Sequence, residues 1–192
     1  MSLKETLISE ILDREFRMFT SVPSQPRSPC QDDEAGFRTM RAAQFEAWSL
    51  ETLASYREDL LNALRENRNL MTLKYARMDN LISPLRTNSL IDEIVETQIA
   101  WWREMFDKYP NLMKRARPLD ERAKGDSTSF KTYLRGELET YSNKTIALFH
   151  EDIIDKKNRG ENMTREIFLN VIKGMGYKSL EEAEEEAKRP RG

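Results

Sequence analysis

Apolar residues recur along the chain at intervals of three and four, and no segment alternates strictly, so the pattern predicts helices and no strands. The first helix opens at a capping box, Ser2 to Glu5, in which hydroxyl and carboxylate each satisfy a free backbone N–H. Ile8, Ile11, Leu12, Phe16 and Phe19 give it an apolar face, and it stops before SVPSQPRSPC, whose three prolines cannot continue a helix. A second helix is expected over 33–66, long enough to break near Ser49, with Asn67 as its stop. A third covers 69–82 and ends at Ser83 and Pro84, and a fourth opens at the box Ser89 to Asp92 and runs to Tyr109, ahead of Pro110. Beyond an irregular stretch with one short helix, a second long helix covers about 127–157 with the stripe Phe130, Tyr133, Leu134, Leu138, Tyr141 and Leu148. Gly160 and Asn162 restart the chain into MTREIFLNVIKGMG, which Gly176 closes in the left-handed region. The last helix opens at the box Ser179 to Glu182, with its glutamates early and Lys188 and Arg189 late, as the helix dipole favours. The elements predict an all-α, single-domain helical bundle of about six to seven helices, two of them long. In it 21–32 is a Pro-rich loop, 111–126 an irregular charged connection and 187–192 a basic tail. No internal repeat is expected, and no heptad run is long enough for a coiled coil.

Turning each helix at about 100° per residue places several polar side chains among the large apolar ones. Glu15 lies within the arc of the first helix, and on the second Phe37, Arg41, Gln44, Trp48, Ser55 and Asp59 follow one another along one stripe. Lys74 sits between Leu70 and Met78, Gln98 interrupts Ile94 and Trp101, and Glu137 lies inside the arc of Leu134, Leu138 and Tyr141. A bare charge in an apolar interior is costly enough that it neutralises, pairs or reaches water. Two arrangements share this signature. The charges can pair with one another as an internal network. Alternatively, they can line a cavity for a polar ligand, with Arg41 and Lys74 meeting an anionic group and Gln44 and Gln98 fixing its orientation. A plainer reading stands beside both: Glu51, Glu58 and Asn62 adjoin the Arg41 stripe, and Lys74 can lay its stem on apolar neighbours while its ammonium reaches water.

Composition narrows the classes. The 192 residues can bury roughly 70% of their unfolded surface in one core. Lys+Arg 31 against Asp+Glu 33 leaves a net charge of -2, which argues against nucleic acid as the main partner. The basic run KRARPLDERAK carries its own Asp120 and Glu121 and reads as a solvated loop. The N-terminus lacks the apolar run of a signal peptide and no stretch approaches about 18 apolar residues, so a cytosolic protein off the membrane is expected, with no role for the sequons at Asn143 and Asn162. One cysteine and one histidine exclude an internal disulfide and the Cys/His zinc frameworks. A carboxylate-bridged metal pair would want Glu-x-x-His, and Ala147 stands where that glutamate belongs. No metal site is assigned, and a carboxylate-only magnesium or manganese site stays open. Nothing in the sequence sets Cys30 near His150, and there is no Gly-rich phosphate loop.

The stretches CQDDEAGF, MRAAQFEAW, ASYREDLLNA, NRNLMTLKYARM and GENMTREIFLNVIKGMGYKSLEEAE together resemble an uncharacterised bacterial family known only as a domain of unknown function. The resemblance covers nearly the whole chain and implies a helical fold without an activity. In that pattern a glycine precedes Arg-Asn-Leu; Asn67 stands there, the next most tolerant residue of a left-handed backbone. The resemblance also implies where recurring residues concentrate: Cys30, Gln31, Phe37, Arg41, Gln44, Trp48, Tyr56, Asp59, Asn69, Lys74 and Tyr75. The leading expectation is therefore a small polar or anionic ligand held between the first three helices. Arg41 and Lys74 would supply charge, Gln44 and Asn69 hydrogen bonds, Trp48 and Tyr75 walls, and Glu15, Cys30 and Gln31 would lie at the same site. The cofactor, if any, is unassigned. An enzyme is the alternative, with Lys74 as base or amine nucleophile at a lowered pKa, helped by Tyr75 or Asp59. A third class is an adaptor that pairs its inward charges and binds another protein on its surface.

Overall fold

The computed structural model describes residues 1–24, 28–119 and 128–189, and among them it is all-α, with ten helices and one 3₁₀ turn. In chain order these are α1 (Leu3–Thr20), the 3₁₀ turn (Pro29–Gln31), α2 (Glu34–Glu46), α3 (Leu50–Arg65), α4 (Leu70–Met78), α5 (Ser89–Lys108), α6 (Pro110–Met113), α7 (Phe130–Leu138), α8 (Asn143–Asn158), α9 (Met163–Gly174) and α10 (Leu180–Ala187). The count exceeds the expected six to seven because both long helices are broken and the four-residue α6 stands as a helix of its own. Ser49 and Ser142 take extended backbone and cap α3 and α8, their hydroxyls accepting from the N–H of Thr52 and Thr145. Each break is also fixed from afar, which local periodicity cannot register: the Ser49 N–H donates to Asp152 on α8 at 3.0 Å, and the Ser142 N–H to Asp59 on α3 at 2.9 Å. Two ends also shift. Asn88, one residue before Ser89, caps α5, and α4 stops at Met78, where Asn80 turns the chain at φ 56°. The parts of the Pro-rich loop, charged connection, second long helix and basic tail that fall on 25–27, 120–127 and 190–192 lie outside the described residues.

Those reciprocal caps belong to an internal repeat, contrary to the expectation of none. α1 to α4 recur as α5, α7, α8 and α9. The buried residues Thr52, Leu53, Tyr56, Leu60 and Ala63 of α3 match Thr145, Ile146, Phe149, Ile153 and Lys156 of α8 at one constant spacing. At the same spacing Asn69 matches Asn162. Each caps its helix, and each donates its side-chain amide to a carbonyl of the first helix of its half, Met18 at 2.8 Å and Trp101 at 3.3 Å. Asn67 (φ 53°) and Gly160 (φ 68°), the two left-handed turns before those caps, also correspond. Ile8, Ile11, Leu12, Glu15 and Met18 match Ile91, Ile94, Val95, Gln98 and Trp101 at a shorter spacing, because the second half carries α6 and a longer connection after its first helix. Even the ring contacts repeat. Phe19 meets Phe37 and Tyr75 with centroids 5.2 and 6.2 Å apart, and Trp102 meets Phe130 and Phe168 at 3.8 and 5.4 Å.

Helix contacts follow the same pairing. α1 packs on α2, α3 and α4, and α5 on α7, α8 and α9; α3 lies against its own counterpart α8. The second helices are exchanged: α2 packs on α9, and α7 on α4. Close approach at these exchanged contacts suits small residues at the matching positions Ala43 and Gly136. A Cβ on Gly136 would stand 2.8 Å from Met78 Cγ and 3.3 Å from the Lys74 carbonyl. One continuous core, including Phe45, Trp48, Tyr56, Tyr141 and Phe149, spans both halves. α6 and α10 have no counterpart; they close a smaller cluster of Met105, Tyr109, Met113, Ile172, Leu180 and Ala183. Among the described residues no helix is long and apolar enough to cross a membrane.

Candidate functional site

Four charges from four helices meet in the core. Arg41 on α2 donates from Nε and Nη2 to the two carboxylate oxygens of Glu15 on α1, at 2.8 and 2.5 Å. Its Nη1 lies 2.8 Å from Glu137 Oε1 on α7 and donates to Gln44 Oε1 at 2.7 Å. Lys74 on α4 donates to Glu137 Oε2 at 2.6 Å. Two phenols complete the carboxylates: Tyr56 donates to Glu15 at 2.5 Å and Tyr141 to Glu137 at 2.7 Å. Glu15, Arg41, Lys74 and Glu137 are all buried, at 0, 6, 2 and 3% exposure, so each charge depends on the others rather than on water. The ammonium of Lys74 also lies 3.6 Å from the ring centre of half-buried Tyr133, whose ring is 4.1 Å from the Arg117 guanidinium carbon.

The electrostatics follow from this pairing. Burial alone would raise the Glu137 carboxyl, but Arg41 and Lys74 outweigh it and hold it well below the usual carboxylate range. Burial would likewise lower Lys74 and Arg41, and the facing carboxylates raise both instead. Tyr56 and Tyr141 are pushed up by burial, then by the carboxylates they serve. An amine base needs Lys74 held low; Glu137 holds it high, so the expected lowered pKa is corrected. The cluster holds two anions and two cations and is neutral as it stands.

The repeat supplies an internal comparison. Where α1 carries Glu15, α5 carries Gln98, bonded to Thr164 at 3.1 Å and Met163 at 3.5 Å. Arg41 corresponds to Leu134, Lys74 to Ile167, Tyr56 to Phe149, and Glu137 to Gln44. Leu134 and Phe149 are buried, and Ile167 is packed against the same core. The counterparts of the four charged residues are thus two apolar side chains and two neutral amides, and one of these amides, Gln44, itself bonds Arg41.

Of the residues singled out from sequence, Glu15, Arg41, Gln44 and Lys74 come together, with Tyr75 beside them, its ring centre 6.0 Å from Lys74 Nζ. Trp48 lies in the adjoining aromatic core against Tyr56, Tyr141 and Phe149. The others stand elsewhere. Asn69 and Asp59 cap α4 and α8. Gln31 is buried and donates to the carbonyls of Phe19 and Val22, both at 2.9 Å, closing the end of α1. Cys30 is exposed, with its sulfur 3.0 Å from Ser28 Oγ. Sequence reasoning missed Tyr133 and Arg117 at the cluster, and Tyr141 as the partner of Glu137. Tyr141 lies four residues after Glu137, a spacing that puts both on one side of the chain. Two open surface clefts, of about 440 and 480 Å³, are lined by none of the cluster residues. Among the described residues no group of three or more His, Cys, Asp or Glu side chains is placed to hold a metal ion.

Fold and cluster define a class: an all-helical protein of two interlocked four-helix repeats, with one neutral charge cluster buried in only one of two equivalent places. The chain belongs to the family described as "Protein of unknown function (DUF4125)", whose model matches residues 5–185. No curated protein and no solved structure matches it.

Proposed function

We propose that the chain binds a small anionic molecule, carrying a carboxylate or phosphate, at the Arg41–Lys74 cluster. The observation that carries this reading is the asymmetry of the repeat. Buried ion pairs rarely add net stability over well-packed apolar residues, and Leu134 and Ile167 pack at the matching positions of α7 and α9. Charge at one of two equivalent positions is therefore more than packing requires, and two cations flanked by half-buried Gln44 and Tyr133 suit an oxyanion. Binding would give Lys74 the ligand as a second anionic partner beside Glu137. The single cysteine and the charge-rich composition suit a cytosolic setting.

A second reading has its own observation: all four charges are already paired, so the cluster can be a structural lock while the surface binds a protein partner. One experiment separates the two. The protein is compared with its symmetrised variant, Glu15→Gln/Arg41→Leu/Lys74→Ile/Glu137→Gln, in a thermal-shift series against inorganic phosphate, phosphorylated metabolites and dicarboxylates. Ligand binding predicts a concentration-dependent rise in Tm for the natural chain and none for the folded variant. A flat response in both, with the variant much less stable, would sink the ligand reading and favour the lock.

A further inference from the structure

We infer that the Tyr133 ring occupies the place of the ligand's anionic group, and that a carboxylate or phosphate enters between Lys74 and Arg117 when this ring swings out. The inference rests on the ligand reading above and locates the site. An ammonium has three donors, and among the described residues Lys74, 2% exposed, makes one hydrogen bond, to Glu137. Its other side meets the Tyr133 ring at 3.6 Å, and Arg117 meets that ring at 4.1 Å. Two cations this close to one ring centre would collide and repel on a single face, so they clasp the ring from opposite faces. Arg117 donates to the Thr128 carbonyl at 3.4 Å, and among the described residues no carboxylate is within ion-pair distance of it. Among the described residues, adding Arg117 to the neutral cluster leaves one positive charge in excess, which a single oxyanion balances.

A ring face is a weaker partner for a cation than an oxyanion that accepts charged hydrogen bonds. Tyr133 is half-buried, unlike Leu134, Glu137 and Leu138 of the same helix, so part of its side chain already reaches the surface. The matching contact of α2 on α9 again serves as control. There the position of Tyr133 is held by exposed Met40 and that of Lys74 by Ile167. Ring and cation are present together at the contact of α7 on α4 and absent together at the matching contact of α2 on α9, as expected if the ring guards the cation.

The test titrates the full chain with inorganic phosphate and, separately, with succinate, and follows Tm. Removing the ring in Tyr133→Ala should lower the half-saturating concentration of one of these anions about ten-fold. Adding Arg117→Gln or Lys74→Ile to that variant should abolish the gain. Tyr133→Met, which borrows the residue of the other half, should show the same gain and serves if the alanine variant does not fold. No gain in either variant, or a gain that survives Arg117→Gln, would overturn the inference. If the natural chain meanwhile responds through Lys74, the ligand reading survives; if the natural chain and both variants are all silent, both fall.

Discussion

Replacing Glu15→Gln, Arg41→Leu, Lys74→Ile and Glu137→Gln together gives each cluster position the residue found at its counterpart in the other half. Single replacements should be harmful. Arg41→Leu strips both guanidinium bonds from Glu15 and leaves that carboxylate with Tyr56 alone. Breaking a buried pair in this way costs about 3–5 kcal/mol. Lys74→Ile leaves Glu137 held by Arg41 and Tyr141, so the loss is one charged hydrogen bond, about 1.5–3 kcal/mol. The combined variant leaves no unpaired charge, and its two glutamines can still bond Tyr56 and Tyr141. Such exchanges are neutral or stabilising by about 1–4 kcal/mol. Urea unfolding, read as the midpoint at constant slope, should therefore show the quadruple variant at or above the natural chain and both singles well below it. If the quadruple loses as much as Arg41→Leu and Lys74→Ile added together, the charges are structural and the argument from asymmetry fails.

Other predictions draw on the same features. Because the folded Glu137 carboxyl lies far below its unfolded value of about 4.3, its contribution is full above that value and is lost as pH falls below it. Glu137→Gln should accordingly flatten the acid limb of stability against pH, and an unchanged limb would contradict the pairing. Tyr56 and Tyr141 are raised, so the folded state keeps their protons and stability falls above about pH 10. Phenolate absorbance should then rise in two steps, the second coinciding with unfolding. Ser49→Ala and Ser142→Ala should each cost about 1 kcal/mol in urea unfolding, since both remove the same cap in the two halves. At the corresponding left-handed turns, Gly160→Ala should destabilise by about 1 kcal/mol and Asn67→Gly should not destabilise.

Helical periodicity was enough to point Glu15, Arg41, Lys74, Gln98 and Glu137 inward, because each lies among large apolar residues on one side of its own helix, and all five are buried. It could not say that four of them meet, since Lys74 and Glu137 touch only through the exchange of α7 onto α4. The break near Ser49 was expected from length alone and the one at Ser142 was not expected, because Asp152 and Asp59 act from the other half and leave no local mark. The repeat itself was hidden because what recurs is punctuation: Ser–x–x–Thr, an Asp, and an Asn cap. Its core positions keep only size and burial, as Tyr56 against Phe149 and Lys74 against Ile167 illustrate. Asn69, Gln31 and Asp59 are polar residues with backbone duties, and a sequence pattern gives such residues the same weight as ligand contacts.

The exchange of α2 and α7 has a consequence for how the chain comes to be folded. When the residues of α1 to α4 leave the ribosome, α4 has no α7 to pack on, α2 has no α9, and Lys74 lacks Glu137. Synthesis at about 5–20 residues per second makes this wait on the order of ten seconds. Through that interval the nascent first half exposes apolar faces and an unneutralised ammonium, so release into the folded state depends on the arrival of the second half rather than on its own completion.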